Sequence, residues 1–331
     1  MMKVFVLCIA VMFSGLPFNL SAQQPVRYQE ARRLMWTTFE IVAYGENQTR
    51  LAEAAEAAFE EIERLDHQLS NYSETSELTY INRNAAHREI TCEKELFDLL
   101  QYALDYSRAT DGAFDITVGP LMKAWGFFKG QGRVPDAKAL QAVMANVGYE
   151  HVKLHSAKRA IRFDREGIEL DLGGIAKGYA VDKAAEILRA SGVQSALITA
   201  GSSSIYAIGT PPNQTSWKIA VNDPTSRARQ VTTLELKDQS ISTSGCHEKS
   251  FEIGEKTYCH IMNPRTGYPV DGILSATIIT PRGVDAEVFS KVVMVSGIDK
   301  ARAFFKDRKE TRALIFYRQA DGSAGTVRLN F

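Results

Sequence analysis

The sequence predicts an α+β fold with mixed or antiparallel sheets and flanking helices, on three observations. Amphipathic helical patterns occupy the N-terminal half, a series of short strand patterns follows the middle of the chain, and the end returns to strand, helix and hairpin patterns without a regular βαβ alternation. No internal repeat and no long Pro/Ser linker divides the 331 residues, which points to one large domain or two intimate subdomains around a substantial core.

Leu51 to Leu69 is alanine- and glutamate-rich, with Phe59, Ile62 and Leu65 on one apolar face, and reads as a helix. The next segment, NYSETSELTYIN, is polar and reads as a turn. A second helix runs from about Glu93 to Ser107, and another follows Pro135. IEL, ending at Leu170, is a short apolar strand pattern, and a helix with three-and-four spacing begins at Tyr179. SALITA, SIYAIGT and WKIAV are successive strand patterns. ILSATIIT reads as a strand, AEVFSKVVMV as a helix, and ALIFYRQ with GTVRL as a hairpin.

Between IEL and that helix lies DLGGIAKGYAVDKA, Asp171 to Ala184. It sets a carboxylate, two glycines, a lysine and a second carboxylate around one strand-to-helix turn. Gly173 and Gly174 let backbone N–H groups approach a ligand where a helix N-terminus carries partial positive charge, an arrangement suited to a phosphate ester. The same residues also suit a tight connection with Lys177 paired to an aspartate. The run matches neither the dinucleotide fingerprint nor the P-loop.

The first residues, MMKVFVLCIAVMFSGLPFNLSA, have the form of an export signal cleaved near Ala22, leaving residues 23–331 as a soluble exported protein; an uncleaved anchor is the alternative. Pro17 interrupts the apolar stretch too soon for a convincing span. Cys8 lacks the small-residue context of a lipid-attachment cysteine. Lys and Arg total 39, as do Asp and Glu, so charge gives no case for nucleic-acid binding. Cleavage would leave Cys92, Cys246 and Cys259, and a Cys246–Cys259 bridge and two unpaired thiols are both compatible with that set.

Three further segments join the glycine run: FDITVGPLMKAWGF from Phe114, STSG from Ser242, and HIMNPRTGYP from His260. In this order the four resemble the flavin transferases of the ApbE family, from about Met35 to beyond Gly297. The resemblance implies an ApbE-like architecture with a T-fold-like portion. It also implies a periplasmic enzyme that binds FAD, cleaves its pyrophosphate, transfers FMN to a threonine hydroxyl of a target protein and releases AMP. The family's usual metal is magnesium, and its targets are exported or membrane-associated redox proteins. Flavin binding without transfer and hydrolysis of the FAD pyrophosphate are the alternative activities.

By the same resemblance, Met35 opens the family's N-terminal methionine segment, with Trp36 in place of a glycine, and Tyr72 is the aromatic beside the isoalloxazine. Phe114, Asp115 and Thr117 belong to the flavin-facing segment, while Trp125 reads as structural. Asp171 leads into the glycine turn, Lys177 lies toward the pyrophosphate or adenylate, and Asp182 anchors ribose or the local fold. Thr243, Ser244 and Gly245 line the cofactor cleft. His260 orients pyrophosphate or exchanges a proton with the acceptor hydroxyl, and Arg265 offers a fork for two phosphate oxygens. Ala176 contributes a backbone carbonyl to the metal.

The pattern breaks near the end. The family carries an aspartate and, four residues later, a threonine, both ligands of magnesium; in the register that needs no insertion these positions are Glu287 and Lys291, whereas aligning on Asp285 would put Phe289 at the threonine. A protonated lysine cannot ligate magnesium, and its ammonium is expected to replace part of the metal's charge and touch the pyrophosphate. Their i,i+4 spacing equally suits a surface ion pair. Ser202 and Ser203 follow Gly201 where the family has a second glycine, and His247 stands where it has an aromatic.

Overall fold

The computed structural model describes residues 24–128, 130–246, 250–254 and 256–331; the expected export segment and His247 lie outside them. In chain order, β1 (Val26–Leu34) and β2 (Thr37–Gly45) precede α1 (Gln48–Leu69), α2 (Glu77–Asn84), β3 (Ile90–Thr91), α3 (Lys94–Ala109), α4 (Gly119–Ala124) and α5 (Ala137–Met144). After β4 (Val152–His155) and β5 (Ala160–Phe163) come α6 (Ala176–Ala190), β6 (Ser195–Ala200), β7 (Ser204–Ile208), β8 (Trp217–Asp223), β9 (Ser226–Leu236) and β10 (Gln239–Gly245). The chain closes with β11 (Ser250–Ile253), β12 (Lys256–Cys259), β13 (Ile273–Thr280), α7 (Gly283–Phe305), β14 (Arg312–Arg318) and β15 (Ala324–Leu329). Among the described residues no helix is long and apolar enough to cross a membrane.

Eight strands form one sheet in the order β1-β2-β6-β7-β10-β13-β14-β15, every neighbouring pair antiparallel. Strand alternation divides its side chains between two cores. Ala196, Ile198 and Ala200 of β6 face the layer of α1, α6 and α7, while Leu197 faces the opposite side, where the β8–β9 hairpin lays Trp217, Val221, Leu234 and Leu236 over the sheet. A third cluster joins α4 and α5 through Leu121, Trp125 and Leu140 to Met262 of the HIMNPRTG loop.

Several expectations change here. The second half of NYSETSELTYIN is helical: the Ser76 hydroxyl accepts from the Thr79 N–H, and α2 buries Leu78 and Ile81. IEL joins no strand ladder. Asn82 instead brackets Leu170, donating to its carbonyl at 3.0 Å and accepting its N–H at 2.8 Å. A side-chain amide thus performs the service of a neighbouring strand. The helix after the glycine turn starts at Ala176, not Tyr179, which places Lys177 in its first turn. WKIAV is a strand, as its pattern predicts, paired within the overlying hairpin and outside the main sheet.

The crossing of α6 and α7 is set by two glycines. A Cβ on Gly178 would stand 2.3 Å from the Gly283 carbonyl oxygen and 2.9 Å from Glu287 Cβ, so only hydrogen lets the backbones approach this closely. At that crossing Asp182 accepts from the Gly283 and Val284 N–H groups at 2.5 and 2.9 Å, capping α7 from outside its own chain segment.

Candidate functional site

A cleft of about 1440 Å³ opens between the α6 N-terminus, the β1–β2 turn, the β8–β9 hairpin and the HIMNPRTG loop. Its lining draws together Met35, Tyr72, Phe114, Asp115, Asp171, Ala176, Lys177, Thr243, His260 and Lys291, residues spread over most of the chain. Gly173 and Gly174 line it as well, and Ile175, at the N-cap of the helix behind them, makes no capping hydrogen bond with its side chain. That end of α6 therefore faces the cleft with its backbone dipole, a setting that favours an anion. Asp171 shapes the turn by accepting from the Gly173 N–H at 2.8 Å.

Glu287 lies beneath this turn and is fully buried. Its Oε1 accepts from the ammonium groups of Lys177 and Lys291, each at 2.8 Å, and its Oε2 accepts from the Ser204 hydroxyl at 2.6 Å. Burial alone would push this carboxyl up, but the two ammoniums outweigh it and hold the group well below the usual carboxylate range. Both ammoniums thus converge on this buried carboxylate at the cleft wall. Lys291 also stands beside the glycine turn: a Cβ on Gly174 would lie 4.0 Å from its Cε and 3.4 Å from the Phe114 ring.

These residues do not fit magnesium. Octahedral coordination demands several free oxygens, whereas both oxygens of Glu287 already accept hydrogen bonds, and two cations stand within contact of it. Among the described residues no three His, Cys, Asp or Glu side chains converge on a metal-sized site.

Not every residue expected in the cleft reaches it. Arg265 turns its fork away: Nε donates to the Asp111 carbonyl and Nη2 to the Thr110 carbonyl, both at 2.9 Å, so it fastens the loop to the end of α3 and does not line the cleft. Asp182 is likewise outside the lining, occupied by the α7 cap. Along β10 the pleat sends Thr243 to the cleft, where its hydroxyl meets that of Thr277 at 2.9 Å, and Ser244 to the opposite face, where it meets Ser290 at 2.7 Å. Gly245 ends the strand without lining the cleft. Thr117 is buried behind the wall; its N–H and hydroxyl donate to Asp115 at 2.8 and 2.7 Å, and its hydroxyl oxygen accepts from the Gly148 N–H. Asp115 also accepts from the Tyr149 N–H, and burial pushes its carboxyl up against these donors.

Cys246 and Cys259 form a disulfide with a Cα separation of 4.8 Å. One half follows Gly245 and the other precedes His260, so the bond ties the two cleft loops together. Trp125 is buried, and its indole N–H donates to the Gly267 carbonyl at 2.8 Å, supporting the same loop from below.

Three features escaped sequence reasoning. Ser204 as third partner of Glu287 left only the signal of a polar residue in an apolar strand. The β8–β9 hairpin, which brings Asn222 and Asp223 to the cleft, signalled itself as strand but not as cover. The rings of Trp36 and Phe128 approach Tyr72 at the cleft lining, Phe128 stacked at 4.6 Å and 7° and Trp36 tilted at 5.2 Å and 52°.

Comparison with known proteins agrees with this arrangement. The model of the ApbE family matches residues 35–316. A FAD:protein FMN transferase of Klebsiella pneumoniae is 32% identical over 270 residues, covering 81% of this chain and 83% of the relative. One from Escherichia coli K12 is 28% identical over 276 residues, covering 82% and 78%. Among solved structures, the ApbE protein of Thermotoga maritima superimposes with a TM-score of 0.82 at 28% identity, covering 91% of this chain and 96% of that one. The apo flavinyl transferase ApbE of Pseudomonas stutzeri gives 0.79 at 29%, covering 93% and 96%.

Proposed function

Because the chain belongs to the ApbE family, we infer that it is a FAD:protein FMN transferase, the activity for which its relatives are named. The observation that carries the reading is the single cleft in which an aromatic, Tyr72, shares walls with a glycine-rich helix N-terminus and two lysines. An aromatic face suits the isoalloxazine. The helix end and the ammoniums suit the pyrophosphate.

In the proposed reaction an acceptor threonine oxygen attacks the FMN-side phosphorus of FAD, the bridging P–O bond breaks, and AMP leaves. His260 takes the hydroxyl proton or orients the phosphates, and the fixed charges of Lys177 and Lys291 stabilise the negative charge that builds on the leaving phosphate. Lys291 takes over part of the charge that magnesium supplies in the family pattern. The acceptor is an exported or membrane-associated redox protein, and the enzyme works in the periplasm after removal of residues 1–22. Arg265, committed to backbone carbonyls, has no part in the step.

Titration with FAD and FMN tests the binding half: tighter binding of FAD is expected, and no preference for the adenine-containing dinucleotide would sink it. Product analysis tests the chemistry. FMN released at a rate indifferent to acceptor would identify a hydrolase, and FAD intact after long incubation a binding protein. Lys291→Thr is expected to weaken FAD binding and to make AMP release respond to added magnesium.

A further inference from the structure

Trp36 occupies a position that a tryptophan ordinarily avoids. Leu34 pairs with Thr37 in the β1–β2 ladder, so Met35 and Trp36 alone form the connection, and both have left-handed backbone conformations, at φ 47° and 59°. This is the geometry of a two-residue hairpin turn, which glycine or asparagine adopts with least strain. The turn is held in place by the Met35 N–H, which donates to the Asp66 carboxylate of α1 at 2.7 Å. Nothing in the fold repays the strain through burial, since Trp36 is 66% exposed. A strained, exposed aromatic on a pinned turn points to a ligand.

Its surroundings identify the kind of ligand. Trp36 lines the cleft and meets Tyr72 at a centroid distance of 5.2 Å and an angle of 52°, and Phe128 lies parallel to Tyr72 at 4.6 Å, so neither pair leaves room for a third ring between its members as it stands. A flat heterocycle entering the cleft can therefore stack on Tyr72 only by displacing one of these rings, and Trp36, 66% exposed, yields more readily than Phe128, whose ring also carries the Lys123 ammonium at 5.2 Å. We propose that Trp36 is a second aromatic wall of the flavin subsite, closing over the isoalloxazine against Tyr72. This rests on the transferase reading and adds to it a specificity-determining contact for the flavin half of the substrate.

Trp36→Gly separates the contact from the fold, because glycine suits the turn better than tryptophan does. The variant is expected to keep or raise its melting temperature and to bind FAD about tenfold more weakly, equivalent to about 1.4 kcal/mol, while its affinity for AMP, which lacks the ring, stays the same. Trp36→Phe should retain most of the FAD affinity. Tryptophan emission of the native protein should fall as FAD binds, and most of that quenching should vanish in Trp36→Phe. Equal FAD affinity in native protein and Trp36→Gly would overturn the proposal while leaving the transferase reading intact, as would a parallel loss of AMP binding. Failure of the native protein to bind FAD at all would bring down both.

Discussion

Replacing Glu287 by glutamine removes the buried negative charge on which Lys177 and Lys291 converge, while keeping the side chain's shape. At 2.8 Å and an effective dielectric of about 20, each pair has a gross attraction of about 6 kcal/mol, most of it offset by the desolvation of three charged groups. Breaking such a buried pair typically costs about 3–5 kcal/mol. The lower end applies, because the lysine side chains keep 22% and 18% of their exposure and can turn toward water in the cleft. A loss of about 3 kcal/mol corresponds to a fall in Tm of roughly 6 °C at about 2 °C per kcal/mol for a large domain. Thermal unfolding followed by circular dichroism measures it. The pH dependence supplies a second readout. Since the folded-state pKa of Glu287 is depressed, its contribution is fully present above the unfolded value of about 4.3 and is lost as pH falls through the folded value. The gap between native protein and variant should hold from pH 8 to 5 and close only in stronger acid. A shift of less than about 2 °C at pH 7, or a gap that already closes near pH 6, would refute the reasoning.

Gly178→Ala forces a methyl against the Gly283 carbonyl at 2.3 Å, with backbone on both sides and no flexible atom to yield; a loss of about 3 kcal/mol is expected in denaturant unfolding, with weaker FAD binding because Lys177 moves with α6. Asp182→Ala strips the cap from α7 and should cost about 2 kcal/mol in the same assay, with Asp182→Asn milder. Reducing the Cys246–Cys259 bridge, which closes a loop of separation 13, should lower stability by about 3 kcal/mol and weaken FAD binding, and reductant should leave a Cys246→Ser/Cys259→Ser double variant unchanged.

What could be read from the sequence was local. The α1 pattern with Phe59, Ile62 and Leu65 is a helix because its apolar spacing alone specifies a face, and the ALIFYRQ and GTVRL segments pair as a hairpin because alternation and a short turn suffice. The β1–β2 hairpin escaped notice because charged residues dilute its alternation; in VRYQEARRL every second side chain is only partly buried. IEL carries a strand's apolar pattern yet joins no ladder, because Asn82, distant in sequence, brackets Leu170 where a neighbouring strand ordinarily would. The site divides in the same way. Glu287 and Lys291 pair as their i,i+4 spacing dictates, but the third and fourth members, Lys177 and Ser204, arrive through the α6–α7 crossing and the sheet, which no spacing encodes. Arg265 and Asp182 belong to the right segments, yet orphan backbone groups nearby claim their side chains, and residue type alone could not show that.

The central claim is that this cleft transfers FMN from FAD to a protein and does so with lysine charge where the family pattern has a metal ligand. Its most direct test is intact-mass spectrometry of an acceptor redox protein incubated with the enzyme and FAD, once with magnesium and once with EDTA, alongside quantification of AMP. The account predicts one FMN added per acceptor, AMP released in equal amount, and transfer that persists in EDTA. Unmodified acceptor under both conditions would contradict the transferase reading, and transfer abolished by EDTA would contradict the role given to Lys291.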